Sequence, residues 1–237
     1  MKRTEVAALA ELVGRFGLSE AAGGQLTRLL GLLTEDPHAP TSVREPRRAI
    51  DDHLADSLVA LELEAVRCAA TIADLGAGAG LPGLVLAICR PEADVFLVES
   101  NRRKCDFIRR AADECELANV TVVPARAEQW PEGRERFELV TARALAPLAI
   151  VAEYAAPLLR VGGTLVAWRG RLDPDEEDAA RRAAGELGLR YAEPERVEPF
   201  PGTRHRHLQV LIKTDATPSR FPRRPGVARK RPLGAGS

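Results

Sequence analysis

The chain has 237 residues, of which 45% are hydrophobic and 29% charged, a composition typical of globular proteins. No apolar run approaches the ~20 residues of a membrane span, and the first residues lack the apolar stretch of a signal peptide, so we expect a cytoplasmic protein without membrane contact. The four cysteines stand singly, outside any metal-ligand spacing, which predicts neither a bound metal nor a disulfide framework.

The formal net charge of zero hides an asymmetry between the C-terminal end and the rest of the chain. Residues 216–237 contain six arginines and lysines and no acid, so residues 1–215 carry six compensating negative charges. Scattered prolines and the lack of an apolar period predict that this tail is extended or flexible. A basic tail on an acidic body is typical of contact with a polyanion, although a solvated tail is the alternative.

Residues 1–65 are predicted to form a helical extension. Apolar residues recur there at helical spacing in three stretches, and Ser19 is a suitable N-cap for the second helix. In the third helix, His53 and Asp56 lie beside the apolar face, three residues apart. The sequence alone favours a surface pair on an amphipathic helix.

The turn after the first predicted strand, 69–73, is rich in glycine. It contains an acid and three alternating glycines, Asp74, Gly76, Gly78 and Gly80. Glycine is required where a strand turns sharply into a helix and the backbone approaches a ligand. Residues 78–83 also satisfy the dinucleotide pattern G-x-G-x-x-G, whereas the longer acid-glycine pattern is typical of S-adenosylmethionine-dependent methyltransferases. A turn of purely structural use is the third, less favoured, interpretation.

The second predicted strand, 94–98, ends in Glu99, which lies 23 residues after Gly76. This is close to the ~20-residue spacing at which a carboxylate accepts hydrogen bonds from a ribose. Glu99 therefore indicates an adenosine-type ligand. It does not distinguish a nicotinamide cofactor from S-adenosylmethionine, because both carry that ribose.

The rest of the chain to residue 213 alternates predicted helices and strands. The predicted helices are 102–116, 147–160 and 173–187, and the predicted strands are 120–123, 137–141, 164–168 and an antiparallel edge strand, 207–213. Because ligands bind at the carboxyl ends of parallel strands, Glu99, Glu128 and Arg143 are expected to share one crevice. We divide the chain into an N-terminal helical extension (1–65), an α/β core (66–215) and a basic tail (216–237).

Taken together, these motifs resemble the glucose-inhibited division protein B family, the RsmG-type methyltransferases. The similar stretches are 41–46, 53–58, 74–83, 99–108, 126–128, 142–144, 221–226 and 230–233. The resemblance implies a class I S-adenosylmethionine-dependent methyltransferase fold, with a Rossmann-like, seven-stranded, mostly parallel sheet. It also implies methylation of guanine-N7 in 16S ribosomal RNA. The expected substrate is either naked RNA or the small-subunit particle. We expect the protein to be a monomer.

The predicted site follows from the turn and the resemblance together. The candidate cofactor-binding residues are Asp74, Gly76, Gly78, Gly80, Leu81, Glu99, Ala127, Glu128 and Arg143. The candidate RNA-binding residues are Arg102, Arg103, Lys104, Arg223, Arg224, Arg229, Lys230 and Arg231. No catalytic residue is assigned, because guanine-N7 has a free lone pair and methyl transfer to it needs no base.

Two other functions use the same features. A nicotinamide-dependent oxidoreductase would need a recognisable proton donor in the second half of the core, and none stands out. A ribosome-assembly protein could bind RNA and retain the cofactor site without catalysing a reaction.

Overall fold

The alternation of strands and helices produces one mixed sheet covered by helices on both faces. The computed structural model describes residues 2–234. The strands are β1 Thr71–Leu75, β2 Asp94–Val98, β3 Val120–Val123, β4 Phe137–Arg143, β5 Leu159–Arg169, β6 Leu189–Tyr191, β7 Glu195–Arg196 and β8 His207–Lys213. The helices are α1 Arg3–Arg15, α2 Glu20–Glu35, α3 Pro46–Ala49, α4 Asp56–Leu58, α5 Glu64–Cys68, α6 Gly83–Cys89, α7 Arg102–Glu114, α8 Leu148–Ala155, α9 Pro174–Leu187 and α10 Val227–Lys230.

Shorter helical segments connect some of these elements. A π-helical segment, Ile50–Ala55, joins α3 to α4, and 3₁₀ turns occupy Val59–Glu62, Ala127–Gln129 and Pro131–Gly133. The first turn of α2 is closed as predicted, because the Ser19 hydroxyl accepts a hydrogen bond from the amide of Ala22 at 3.2 Å.

The strand order is β3-β2-β1-β4-β5-β8-β6, and β7 pairs with β8. Strands β1 to β5 are parallel, whereas β8 runs antiparallel to β5, β6 and β7. The family resemblance implied seven strands, and the sequence located six of them. The structure adds the short strands β6 and β7, for a total of eight within residues 2–234. From β1 the chain first adds β2 and β3 on one side, and then crosses to the other side to form β4 and β5. Ligands bind at such a reversal of the strand order in open α/β sheets, here between β1 and β4.

The start of β5 differs from the prediction. The sequence placed a helix at 147–160 and a strand at 164–168, but α8 ends at Ala155 and β5 already begins at Leu159. Gly162 has a φ of 86°, and a Cβ on Gly163 would lie 2.7 Å from the carbonyl oxygen of Phe137. The two glycines thus form an irregularity inside the strand, where its register against β4 shifts.

The N-terminal extension packs on one face of the sheet as a continuous layer. Leu26, Leu29 and Leu33 of α2 are completely buried, in the same apolar cluster as residues of α6 and α7. Complete burial of one such side chain stabilises the folded protein by about 1.5–3 kcal/mol. Residues on both sides of residue 65 share one apolar core. The domain boundary at residue 65 therefore stays a proposal that rests on the sequence.

The tail differs from the flexible segment that was expected. Phe221 is 2% exposed and Ala228 is 3% exposed, and both belong to the apolar cluster on the face that carries α8. Two anchors separated by seven residues are too few to produce an apolar period, which is why the sequence did not reveal this packing. The described part of the tail, 216–234, is therefore not a free arm.

Within residues 2–234, no helix combines the length and the apolar character needed to cross a membrane.

Candidate active site

The glycine turn joins β1 to α6 in a conformation that glycine adopts without strain. Gly76, Gly78 and Gly80 have φ angles of 66°, 60° and 83°, which lie in the left-handed region. The amides of Gly76 and Ala77 donate to the carbonyl oxygen of Val98 at 2.9 Å and 3.2 Å. These bonds fasten the turn to the carboxyl end of β2.

A cavity of about 540 Å³ opens beside this turn, at the carboxyl ends of the parallel strands. Its volume lies in the range of small-molecule sites. Four candidate cofactor-binding residues line it, namely Gly76, Glu99, Ala127 and Glu128. Two candidate RNA-binding residues, Lys104 and Arg229, also line it. The structure therefore brings together residues from four separate motifs at one site.

Glu99 occupies the position that the ribose prediction requires. It is 7% exposed, and its carboxylate accepts from the amide of Gly78 at 3.1 Å and from the amide of Asn101 at 2.8 Å. A carboxylate has about four lone-pair positions, so acceptor capacity remains for two ribose hydroxyls. The donor set of the cavity thus fits an adenosine-containing cofactor.

Asp74 lies behind the site, although it was predicted to bind the cofactor. It is completely buried, and its oxygens accept from the amide of Gly83 at 3.0 Å and the hydroxyl of Thr141 at 2.9 Å. Burial raises the pKa of Asp74 to about 6, against the opposing effect of these two hydrogen bonds. Asp74 braces the glycine turn against β4 and does not line the cavity.

Three further predicted contacts also belong to the frame of the turn. Leu81 is 6% exposed and packs in the core cluster next to α6. A Cβ on Gly80 would lie 2.4 Å from a methyl group of Leu84, so this glycine permits close packing of the turn on the helix. Gly78 presents its amide to Glu99. These residues shape the turn, and the structure does not place them on the cavity wall.

Arg143 was expected in the same crevice, but its side chain turns towards the N-terminal extension. Its guanidinium donates to Asp56 at 3.0 Å and to the carbonyl oxygen of Asp52 at 3.2 Å. Arg206 binds the other oxygen of Asp56 at 2.9 Å, and the indole of Trp168 donates to its backbone carbonyl at 2.6 Å. Asp56 is 4% exposed, so two cations converge on one buried carboxylate.

His53 and Asp56 are consequently not the surface pair that the sequence favoured. His53 is 9% exposed, and its Nε2 shares a hydrogen bond of 2.8 Å with the hydroxyl of Thr41. Burial and the charge of Arg143 lower the pKa of His53, which favours the neutral imidazole. The surface prediction failed because both side chains are buried against distant partners: His53 against Thr41, and Asp56 against Arg143 and Arg206.

Sequence reasoning did not identify Arg206 or Tyr154. Arg206 lies 150 positions from Asp56, and no local pattern links the two. Tyr154 of α8 lines the cavity. All residues of α8 are buried, so this helix has no exposed polar face to contrast with an apolar one. No signal in the sequence distinguishes the side of this helix that meets the cavity.

The candidate RNA-binding residues fall into different environments. Arg102, Arg103, Arg224, Lys230 and Arg231 are exposed. Arg223 instead binds Glu153, with Nε 2.8 Å from Oε1, and Glu153 is 1% exposed. The charge of Arg223 is neutralised inside the protein, so the structure gives it a role in packing the tail.

Comparisons with known proteins identify the family. The family model GidB, rRNA small subunit methyltransferase G, matches residues 28–206. Ribosomal RNA small subunit methyltransferase G of Rubrobacter xylanophilus is 42% identical over 199 residues, which cover 81% of this chain and 76% of that protein. The protein of the same name from Deinococcus radiodurans is 43% identical over 217 residues, covering 88% and 85%.

Solved structures with little sequence identity show the same fold. Fibrillarin from Methanococcus jannaschii, a pre-rRNA processing protein, matches with a TM-score of 0.53 and 17% identity over 68% of this chain and 74% of its own. The antibiotic-resistance methyltransferase Kmr matches with a TM-score of 0.52 and 19% identity over 62% and 88%. The predicted class I methyltransferase fold is confirmed. With a family model that spans three quarters of its length, this chain belongs to the rRNA small subunit methyltransferase G (GidB) family.

Proposed function

We propose that the chain transfers a methyl group from S-adenosylmethionine to N7 of a guanine in 16S ribosomal RNA. The observation that carries this proposal is the cavity beside the glycine turn, with Glu99 fixed at its wall. Relatives named ribosomal RNA small subunit methyltransferase G support the class of substrate. The position N7 follows from the family resemblance.

The cofactor would be held by groups on three sides of the cavity. Glu99 would accept from the ribose hydroxyls, and Ala127 and Glu128, which follow β3, would border the adenine. Gly76 allows the side chain of Leu145 to pack directly against the turn, because a Cβ on this glycine would lie 2.5 Å from a methyl group of Leu145. Leu145 follows β4 and thus closes the cavity on the side that faces the glycine turn.

Bound S-adenosylmethionine supplies an activated methyl group on a sulfonium. Guanine-N7 offers a lone pair without losing a proton, so the protein needs no general base. Its contribution is to hold the two reactants in line, and such positioning can lower a barrier by about 7–11 kcal/mol.

RNA would approach over the basic residues near the cavity mouth. Arg102 and Arg103 begin α7 and are exposed, and Arg102 lies two residues after Ser100 of the cavity wall. Their contacts with phosphates would give an affinity that falls steeply with salt. The target guanine must also leave its stack to reach the methyl group.

We further propose that the chain acts as a monomer in the cytoplasm, where it would meet the small ribosomal subunit. Light scattering of the eluted peak in size-exclusion chromatography tests the first part. A mass of one chain, 25.7 kDa, is the expected result, and a stable dimer would contradict it.

The methylated atom can be identified directly. The purified chain is incubated with labelled S-adenosylmethionine and either naked 16S RNA or small-subunit particles that lack the modification. Chemical cleavage specific for 7-methylguanine then locates the label. Label at one guanine supports the proposal. Label in the RNA without such cleavage would place the methyl group on another atom and contradict the N7 assignment. No label on either substrate, while the cofactor binds, would favour the RNA-binding assembly function instead.

A further inference from the structure

The C-terminal strap, residues 217–231, lies along α8 and is fastened to the core at successive points. At its start, the buried ammonium of Lys213 donates to Thr217 at 2.7 Å and to the carbonyl oxygen of Ala156. In its middle, Phe221 is buried. Glu153 accepts from the amide and the guanidinium of Arg223. These anchors give the strap a fixed path along α8.

This path brings Arg229 to the cavity. The Arg229 guanidinium donates to the carbonyl oxygen of Leu145 at 3.1 Å, and Leu145 is the residue that packs on Gly76 of the glycine turn. Arg229 shares the cavity wall with Tyr154 and Glu128. One residue earlier on the same short helix, Ala228 is buried and holds α10 against the core.

Acidic and basic side chains lie together at this end of the cavity, whereas a segment that only binds RNA phosphates would present basic side chains. Glu128 has a side chain that is 6% exposed and lies 3.9 Å from Arg126. Burial raises the pKa of the Tyr154 hydroxyl, the charge of Glu128 raises it further, and the charge of Arg229 opposes them. Arg229 and Glu128 therefore both lie within electrostatic reach of Tyr154. A phosphate would meet an acid there as well as a cation.

We propose that Arg229 is a cofactor-binding residue and that the C-terminal strap forms one wall of the cofactor cavity. This inference rests on the proposed function. The adenosine end is the part of the cofactor expected next to Ala127 and Glu128, and a planar guanidinium both donates hydrogen bonds and stacks on an aromatic ring. The family model ends at residue 206, so its match assigns nothing to this residue.

The test is a calorimetric titration of the full chain with S-adenosylmethionine in the absence of RNA. Arg229→Ala is expected to weaken binding by about tenfold, the loss of one charge-assisted contact. The matched control is Arg220→Ala, which removes the same charge from an exposed position of the strap that does not line the cavity. Its affinity should equal that of the unchanged chain.

Every outcome of this titration is informative. Unchanged affinity in Arg229→Ala, or equal weakening in both variants, would overturn the inference. Weaker binding to 16S RNA with unchanged cofactor affinity would return Arg229 to an RNA-binding role. If the unchanged chain does not bind S-adenosylmethionine, the proposed function fails first. A thermal melt checks folding, and because Arg229 is exposed the midpoint should not move.

Discussion

Asp56 and Arg143 form an ion pair, with Asp56 Oδ2 3.0 Å from Arg143 Nη1, that joins the N-terminal extension to the carboxyl end of β4. Arg206 approaches the other oxygen of the same carboxylate from the segment before β8. The side chain of Asp56 is 5% exposed and that of Arg143 is 16% exposed. A single acid thus holds together three parts of the chain beside the cofactor cavity.

Asp56→Asn should destabilise the protein, because two arginines would lose their carboxylate and remain next to a neutral amide. We expect a loss of about 2–4 kcal/mol in the free energy of unfolding, measured by urea denaturation. The control is Glu62→Gln, whose partner Arg15 forms an exposed pair. That change should cost less than about 1 kcal/mol. Equal midpoints for the two variants would show that the Asp56 cluster contributes no special stability.

Glu99→Gln should raise KM for S-adenosylmethionine more than it lowers kcat. The amide group of glutamine can accept at only one of the two positions where Glu99 now receives the amides of Gly78 and Asn101. It would also offer a donor where the ribose hydroxyls need an acceptor. We expect an increase of about 10- to 100-fold in KM. Glu132→Gln, on an exposed turn, should leave KM unaltered, and a normal KM in Glu99→Gln would remove Glu99 from the site.

Asp74 predicts a specific pH dependence of stability. Because burial raises its pKa to about 6 in the folded state, the folded protein binds an extra proton above the unfolded pKa of about 3.8. The stability gained from this protonated form is complete below about pH 4 and is lost as the pH rises through 6. Over that window the loss amounts to about 3 kcal/mol.

The isosteric variant Asp74→Asn isolates this effect. Its Oδ1 can accept from Gly83, and its amide can donate to the hydroxyl of Thr141, so both contacts survive. Urea denaturation from about pH 4 to 7 should show the variant gaining stability over the unchanged chain as the pH rises. Parallel curves across the whole range would mean that Asp74 titrates normally.

Arg223→Ala should destabilise the protein, in contrast to a similar change at the neighbouring arginine. It leaves the buried carboxylate of Glu153 without its cation, at a cost of about 2–4 kcal/mol. Arg224 is exposed, so Arg224→Ala should change the midpoint of a thermal melt only slightly. If Arg223→Ala melts normally but binds 16S RNA less tightly, the RNA-binding prediction for Arg223 was right.

Much of the core followed from local patterns in the sequence. The bounds of β2, β3 and β8 agree with the predicted strands, because each is an apolar run limited by turn residues. The glycine turn and Glu99 were located from spacing alone. Membership of the methyltransferase family now decides between the two cofactors that this spacing left open.

The side-chain partners could not be predicted in the same way. Arg143 was placed correctly at the end of β4, but its direction depends on Asp56 of a distant helix. Asp74 was identified by the motif, yet its role follows from Thr141 on the neighbouring strand. The path of the strap depends on a few scattered anchors. In each case the deciding contact joins residues far apart in the chain.

The central claim is that the cavity beside Glu99 holds S-adenosylmethionine. The most direct measurement is a calorimetric titration of the purified chain with S-adenosylmethionine, with NADH as the parallel ligand. The account predicts binding of S-adenosylmethionine at one site per chain, with a Kd on the order of micromolar, and no heat with NADH. Binding of NADH alone would contradict it.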